Sequence, residues 1–339
     1  MTRVKTMPKM TKGSSNTKIR NGPISGLPRR VAENPKPRLR VTKTPTLLNA
    51  TVITEPLDSV ISALGYKIER EWPTRFAHIQ GARELILLTL RIADVTSRSI
   101  RYLSAEKPPD PARMPEYSLS VPPLNRTILD NLFTVLFVLE DLPGRCAWYH
   151  KAAWREERLE YDRYVAEYGH LPEWQEWLGR LKAHLDFGVS FIGISREEVA
   201  NPSKMRSWPN AGAMPSYALS PKASVPPGRS FMKYLNDWFY KDLSQQAHLG
   251  GTGLMKRASV LLHDRHDPER ERALKKNQYF WWGQTITLTL ALASELEAYF
   301  DFGLRERLRY LWGLVVPVVV VAKEVYDKRY AELLGRQVA

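Results

Sequence analysis

The stretch from Leu124 to Asp141, LNRTILDNLFTVLFVLED, restricts the possible folds of this chain more than any other. It is too apolar for a surface helix and too regular for a loop. Leu124, Ile128, Leu129, Leu132, Phe133, Leu136 and their neighbours cover most of a helical cylinder. The polar residues Arg126, Thr127, Asp130, Asn131 and Thr134 recur at steps of three and four, so they form one narrow stripe. A helix that is apolar nearly all round is normally buried, and the stripe is then expected to look into the protein or into a cleft. Arg126 and Asp130 are four apart and can pair along the helix.

The rest of the chain reads as helices that could bury this one. Thr54 caps a short helix to about Leu64, with Pro56 in its first turn and Gly65 as its stop. Thr74 opens an amphipathic helix to about Leu103, whose apolar face is Leu85, Leu88, Ile92 and Val95. The six prolines between Lys107 and Pro123 predict an extended connector. After a turn at Pro143 and Gly144, a charged helix runs from Cys146 to Tyr168, with Trp148, Trp154, Tyr161 and Tyr164 inward. Pro172 starts another, to about Phe187. Ser195 and Glu198 have capping-box spacing.

Residues 201–230 form a proline-rich loop, which is either a lid over the polar cleft or a plain insertion. Ser230 caps the next helix, which the glycines 250, 251 and 253 interrupt. Asp267 and Pro268 start a long helix to about Phe302, and a last one spans residues 305–334. Its apolar run, Leu311 to Ala322, is too short for a bilayer and contains Pro317, so a kinked or broken core helix is expected there. No convincing strand pattern occurs. The expected fold is an all-α multi-helix bundle over residues 48–339, with a core at 75–265 and a C-terminal helix pair at 268–339.

Charge separates this body from its N-terminus. Residues 1–47 hold twelve Lys and Arg against one acid, a net +11 of the chain's +14. Such a segment cannot bury enough apolar surface to offset its ordering entropy, and a disordered basic tail is expected. The tail is either a solvated end, a product of an upstream start codon, or a docking element for RNA or DNA. A single cysteine, Cys146, rules out a disulfide within the chain and fits a cytoplasmic setting. No leader or membrane anchor is expected, and a homo-oligomer is left open.

Four clusters carry candidate chemistry. The first is the stripe Arg126, Asp130, Asn131 and Thr134, either a ligand pocket or an internal ion pair holding the bundle. The second is Tyr234, Tyr240, Ser244 and His248 on one helix. Ser244 and His248 are within reach of each other, but no nucleophile elbow accompanies them. His248 is either a general base or a helix-terminal hydrogen-bonding group. The third, His263, Asp264, His266 and Asp267, lacks a metal-site spacing and overlaps a helix start, where Asp267 would cap. The fourth is the pair of Arg–His spacings Arg145–His150 and Arg257–His263, which an Arg-rich chain contains by chance. No Gly-rich phosphate loop precedes a helix in a βαβ setting, and neither a cofactor nor a metal is expected.

The order of landmarks resembles a bacterial helical family of unknown function that is compared with HEPN-like bundles. Its pattern is an Arg with an acid four residues on, then a charged tyrosine-containing helix, then YxxxSxxxH. Here these are Arg126 and Asp130 (where the family tends to have Glu), the helix through Tyr161, and Tyr240, Ser244 and His248. The resemblance covers roughly residues 75–265. It implies a shared fold and a polar centre built from Arg126, Asp130, Ser244 and His248. The functional expectation is an RNA-associated HEPN-like factor of a defence or toxin system. The alternative is a non-enzymatic interaction protein with a structural polar core and a partner-docking tail.

Overall fold

The computed structural model describes residues 50–79, 81–103, 114–217, 228–247, 251, 253–255, 258 and 268–335. The expectations for the basic tail, for His248, and for the cluster His263 to Asp267 lie outside the described residues. Among the described residues there is no strand, and the fold is an all-α bundle. No helix among them is long and apolar enough to cross a membrane.

The helices run α1 (Ala50–Arg75), α2 (Ala82–Arg101), α3 (Met114–Tyr117), α4 (Val121–Leu139), α5 (Leu142–Tyr168), α6 (Gln175–Ile192) and α7 (Arg196–Ala200). Then come α8 (Arg229–Leu235), a π-helical turn (Asn236–Tyr240) and α9 (Lys241–Ala247). The chain closes with α10 (Pro268–Phe300), α11 (Arg305–Val315), α12 (Val320–Val325), a second π-helical turn (Tyr326–Tyr330) and α13 (Ala331–Gly335).

Two helices form the centre. α4 is buried as its composition requires, and it packs on α2, α9 and α10. α10 is buried still more completely: every residue from Trp281 to Glu297 is inside. A helix with no face in water must satisfy its polar side chains internally. Thr287, Thr289 and Ser294 each donate to the carbonyl four residues earlier, and the single proton of Thr285 Oγ1 has Trp281 O and Asn125 Oδ1 both within reach. Trp312 Nε1 donates to Ser294 Oγ at 3.0 Å. Asn125 of α4 donates to Trp281 O at 3.1 Å and accepts from Thr285 Oγ1 at 2.7 Å, which ties the two central helices together.

The buried carboxylates of α10 are paired too. Glu295 takes a two-pronged grip from Arg329, Nε and Nη2 each at 2.9 Å, and the Tyr330 hydroxyl at 3.0 Å. Burial works against the Arg329 charge, but Glu295 more than offsets it and holds the guanidinium above its usual value. Glu297 accepts from the backbone N–H of Phe302 and Leu304, and so caps the reversal after α10. There Asp301 and Gly303 both adopt positive φ.

Several expected boundaries are corrected. α1 does not stop at Gly65; it continues to Arg75 because Leu57, Val60, Ile61, Leu64, Ile68 and Trp72 form one uninterrupted buried face. α2 starts at Ala82 and not at Thr74. Gly81 precedes it in the left-handed region (φ 73°), and a Cβ there would lie 2.5 Å from His150 Nε2. The proline connector is not extended throughout: Met114–Tyr117 is a helical turn, and Pro122 and Pro123 sit in the first turn of α4, where a missing N–H costs nothing. Pro143 and Gly144 likewise belong to the first turn of α5, capped by Asp141. α8 begins at Arg229 after Gly228, so Ser230 is not its cap. The Ser195–Glu198 capping box forms with both of its bonds, and Pro317 breaks the last helix between α11 and α12.

The α2 apolar face is the largest departure. Its buried side is Ala82, Leu85, Ile86, Thr89, Leu90, Ala93, Ser97 and Ile100. Of the four residues expected inside, only Leu85 is; Leu88, Ile92 and Val95 are exposed.

Removing Arg329 while leaving Glu295 tests the inner ion pair. Arg329→Ala is expected to cost about 3–5 kcal/mol in urea unfolding, because a carboxylate is left buried without its cation. Replacing both residues with apolar ones of similar volume should recover most of that loss.

Candidate functional site

The stripe on α4 opens sideways and not into the core. Thr127 is exposed, the Asp130 side chain is 43% exposed, and the Arg126 side chain is 14% exposed. The inward polar group of this helix is Asn125, which the stripe did not include. The expectation that the stripe faces the interior is therefore corrected. It runs along the margin between α4 and α9, since the aliphatic residues already occupy the faces packed on α2 and α10.

Arg126 is the residue that connects this margin to α9. Its Nε donates to Asp130 Oδ1 at 2.9 Å. Its guanidinium lies 3.4 Å from the centroid of the Tyr240 ring, a close cation–π contact. Its Nη1 is buried and has no hydrogen-bond partner among the described residues, and Asn131 Nδ2 is in the same condition. The edge of Phe133 meets Tyr240 at 5.8 Å, so the ring is fixed from two sides.

The π-helical turn sets the direction of Tyr240. A π turn holds an extra residue and resets the phase of the helix that follows. Tyr234, before it, points to the C-terminal helices: its hydroxyl donates to Glu324 at 2.8 Å and Lys328 lies over its ring. Burial, then that hydrogen bond, raises the Tyr234 phenol well above its usual value. Tyr240, at the end of the turn, points to Arg126. Ser244 is four residues further along, half-buried, on the same side of α9. Among the described residues it makes no hydrogen bond to Arg126 or Asp130.

The structure thus brings Arg126, Asp130 and Tyr240 together and places Ser244 one turn away. Tyr234 belongs to a different contact. Arg145 and His150 do not share a site: Arg145 bonds to Glu140 and to Phe137 O, and His150 Nε2 bonds to Gly81 O at 3.0 Å. A cavity of about 140 Å³ is lined by His78, Ile79, Gly81, His150, Phe191 and their neighbours, none of which belongs to the Arg126 centre. Among the described residues, no group of three or more His, Cys, Asp or Glu could hold a metal. Cys146 is buried, and its thiol is pushed up to about 12 by burial and by Glu84, which fits an inert core residue.

A second charged cluster was not legible in advance. Buried Glu140 is held between Arg145 at 2.7 Å and Arg229, whose Nη2 donates at 2.8 Å. Arg229 also donates to Met214 O, so the cluster fastens the 201–230 segment to the end of α4. Phe137, Trp148, Trp208 and Tyr217 pack around it edge to face. In its described part, residues 201–217, this segment is therefore packed against the body. The partners lie up to 89 residues apart, and only the acid at the end of an apolar run hinted at the arrangement.

Burial raises the Asp130 carboxyl above its ordinary 3.8, against the opposing pull of Arg126. The folded state then holds the proton more tightly than the unfolded chain. The contribution of Asp130 to stability is present below about pH 3.8 and is lost as pH rises through the raised value. Asp130→Asn is expected to remove that segment of the stability–pH curve, measured by urea unfolding between pH 3 and roughly 6. Tyr240→Phe should keep the contact with Arg126, whereas Tyr240→Ala should cost at least about 1 kcal/mol. No protein-family model matches the sequence, and neither a curated protein nor a solved structure is similar enough to give it a relative.

Proposed function

We propose that this chain is an RNA-associated, HEPN-like helical protein of a defence or toxin system in the cytoplasm, with Arg126, Asp130, Tyr240, Ser244 and His248 as its working centre. The observation that carries the reading is the seating of Arg126 on Tyr240. It joins two landmarks separated by more than a hundred residues, at the margin where a polar ligand could approach. The Arg126 side chain keeps 14% of its surface in solvent there, and a phosphate oxygen is the acceptor an arginine fork fits best.

In this reading Arg126 contacts the scissile phosphate, held by Asp130 and the Tyr240 ring. His248, four residues beyond Ser244 in the sequence, takes the proton of the ribose 2′-hydroxyl as that oxygen bonds to phosphorus and the P–O5′ bond breaks, with the departing 5′-oxygen protonated by water, or else contacts the phosphate. The basic residues of the tail add sequence-independent affinity for RNA or DNA through counterion release.

A non-enzymatic interaction protein is the second reading. It is favoured by Glu140 and Glu295, each buried and engaged by two partners, as in a structural core.

The full-length chain should cleave single-stranded RNA. His248→Ala and Arg126→Ala should each lower the rate by about 10²–10⁴-fold, with circular dichroism unchanged. Neutralising the tail lysines and arginines should flatten the dependence of RNA binding on salt. No cleavage, or cleavage indifferent to both substitutions, would leave the interaction reading in place.

A further inference from the structure

The described part of the proline-rich segment, residues 201–217, reaches the Arg126 centre through a tight turn. Asn210 folds this turn: its Oδ1 accepts from Ala213 N at 2.9 Å, and its carbonyl accepts from Met214 N at 3.2 Å. Gly212 stands in the middle. Its backbone is not in the left-handed region, so conformation does not call for a glycine here, whereas space does. A Cβ at Gly212 would lie 3.3 Å from Cε1 and 3.5 Å from Cζ of Tyr240, the first of these tighter than ordinary contact. The ring has other close neighbours. The Arg126 guanidinium is 3.4 Å from its centroid, and Phe133 meets it edge to face at 5.8 Å. In a close-packed interior such strain is passed on, so a larger residue at position 212 moves the ring relative to the guanidinium.

The turn is itself held from a distance. Met214 O accepts from Arg229, whose Nη2 also donates to buried Glu140 at 2.8 Å. Upstream, Trp208 packs edge to face on Phe137 and Trp148. Glu140 and Arg126 lie at opposite ends of α4, roughly 20 Å apart at the rise of an α-helix. The succession Glu140, Arg229, Met214, Gly212, Tyr240, Arg126 therefore joins two charged groups that α4 itself keeps apart.

We infer that Gly212 is a positioning residue of the Arg126 centre, and that docking of the Asn210–Met214 turn by Arg229 assembles that centre. With the turn docked, the Tyr240 ring is held on the guanidinium. With the turn released or thickened, the ring leaves and Arg126 keeps only Asp130. The consequence for RNA rests on the function proposed above; the contact between turn and ring does not.

Nuclear magnetic resonance of the full chain reads the contact. The Arg126 Nε–H proton, assigned by its loss in Arg126→Lys, lies against an aromatic ring. It is expected upfield of its position in Tyr240→Leu, and Tyr240→Phe should keep it there. Gly212→Val should move it to the Tyr240→Leu position, with circular dichroism unchanged. Gly212→Ala asks the ring to give by only a few tenths of an ångström, so this variant should fold and move the signal part of the way. Arg229→Lys keeps a positive charge beside Glu140, loses the guanidinium bond to Met214 O, and should move the signal in the same direction. A signal unmoved in both Gly212 variants, or unmoved in Arg229→Lys, would overturn the inference. RNA cleavage measured on the same chains should fall about 10²-fold once the ring contact is lost, as for a misplaced catalytic group. Undiminished cleavage after that loss, or no cleavage by any chain, counts against the role given to Arg126 and leaves the positioning by Gly212 standing.

Discussion

The rest of the structure depends on the desolvation of α10. Seventeen consecutive residues of this helix, Trp281 to Glu297, are buried, yet they include a glutamine, three threonines, a serine and two glutamates. Hydroxyls on a helix can satisfy themselves on the preceding turn, and these do. Carboxylates cannot, and each one requires something brought from elsewhere. Glu295 requires Arg329 and Tyr330; Glu297 requires the backbone N–H groups of the reversal that follows. The break at Pro317 allows this, because it folds the C-terminal helices back so that the second π-helical turn reaches Glu295.

The same principle repeats at Glu140, at the far end of α4. Two arginines, one from the next helix and one from beyond the proline-rich segment, surround a single buried acid. Removing one partner of such a pair is more damaging than never having had it. These clusters therefore specify which distant segments must dock, more than they add net stability. Tyr240 and Tyr330 show a further device. Each closes a π-helical turn, and each directs an aromatic ring or hydroxyl at a charged group that an unbroken α-helix would not have faced.

Much of the fold could be read in advance, because it rests on local signals. The helical periodicity of α4, the capping box at Ser195 and the chain break at Pro317 all follow from neighbours within a few residues. The pairing of Arg126 with Asp130 is of the same kind, one helical turn apart. What failed was punctuation with a tertiary override. Gly65 looked like a stop, but the buried face of α1 continues past it, and helix propensity at one glycine costs only about 1 kcal/mol. Arg126 was expected to converge with Ser244 and His248 on a second helix, and the contact with Tyr240 on that helix was not expected. Its ring-stacking geometry depends on a π turn that leaves no mark in composition.

By itself, then, the amino-acid order determined that the chain is helical, where most helices lie, and which of their sides are apolar. Only the tertiary structure decided that α10 is the most buried helix, that the α4 stripe opens at a margin, and that one apolar side of α2 stays in water. The physical reason is that hydrophobic burial is non-directional. Periodicity shows that a face avoids water, but the neighbour that covers it comes from a remote part of the chain, chosen by shape and by the pairing of a few buried charges.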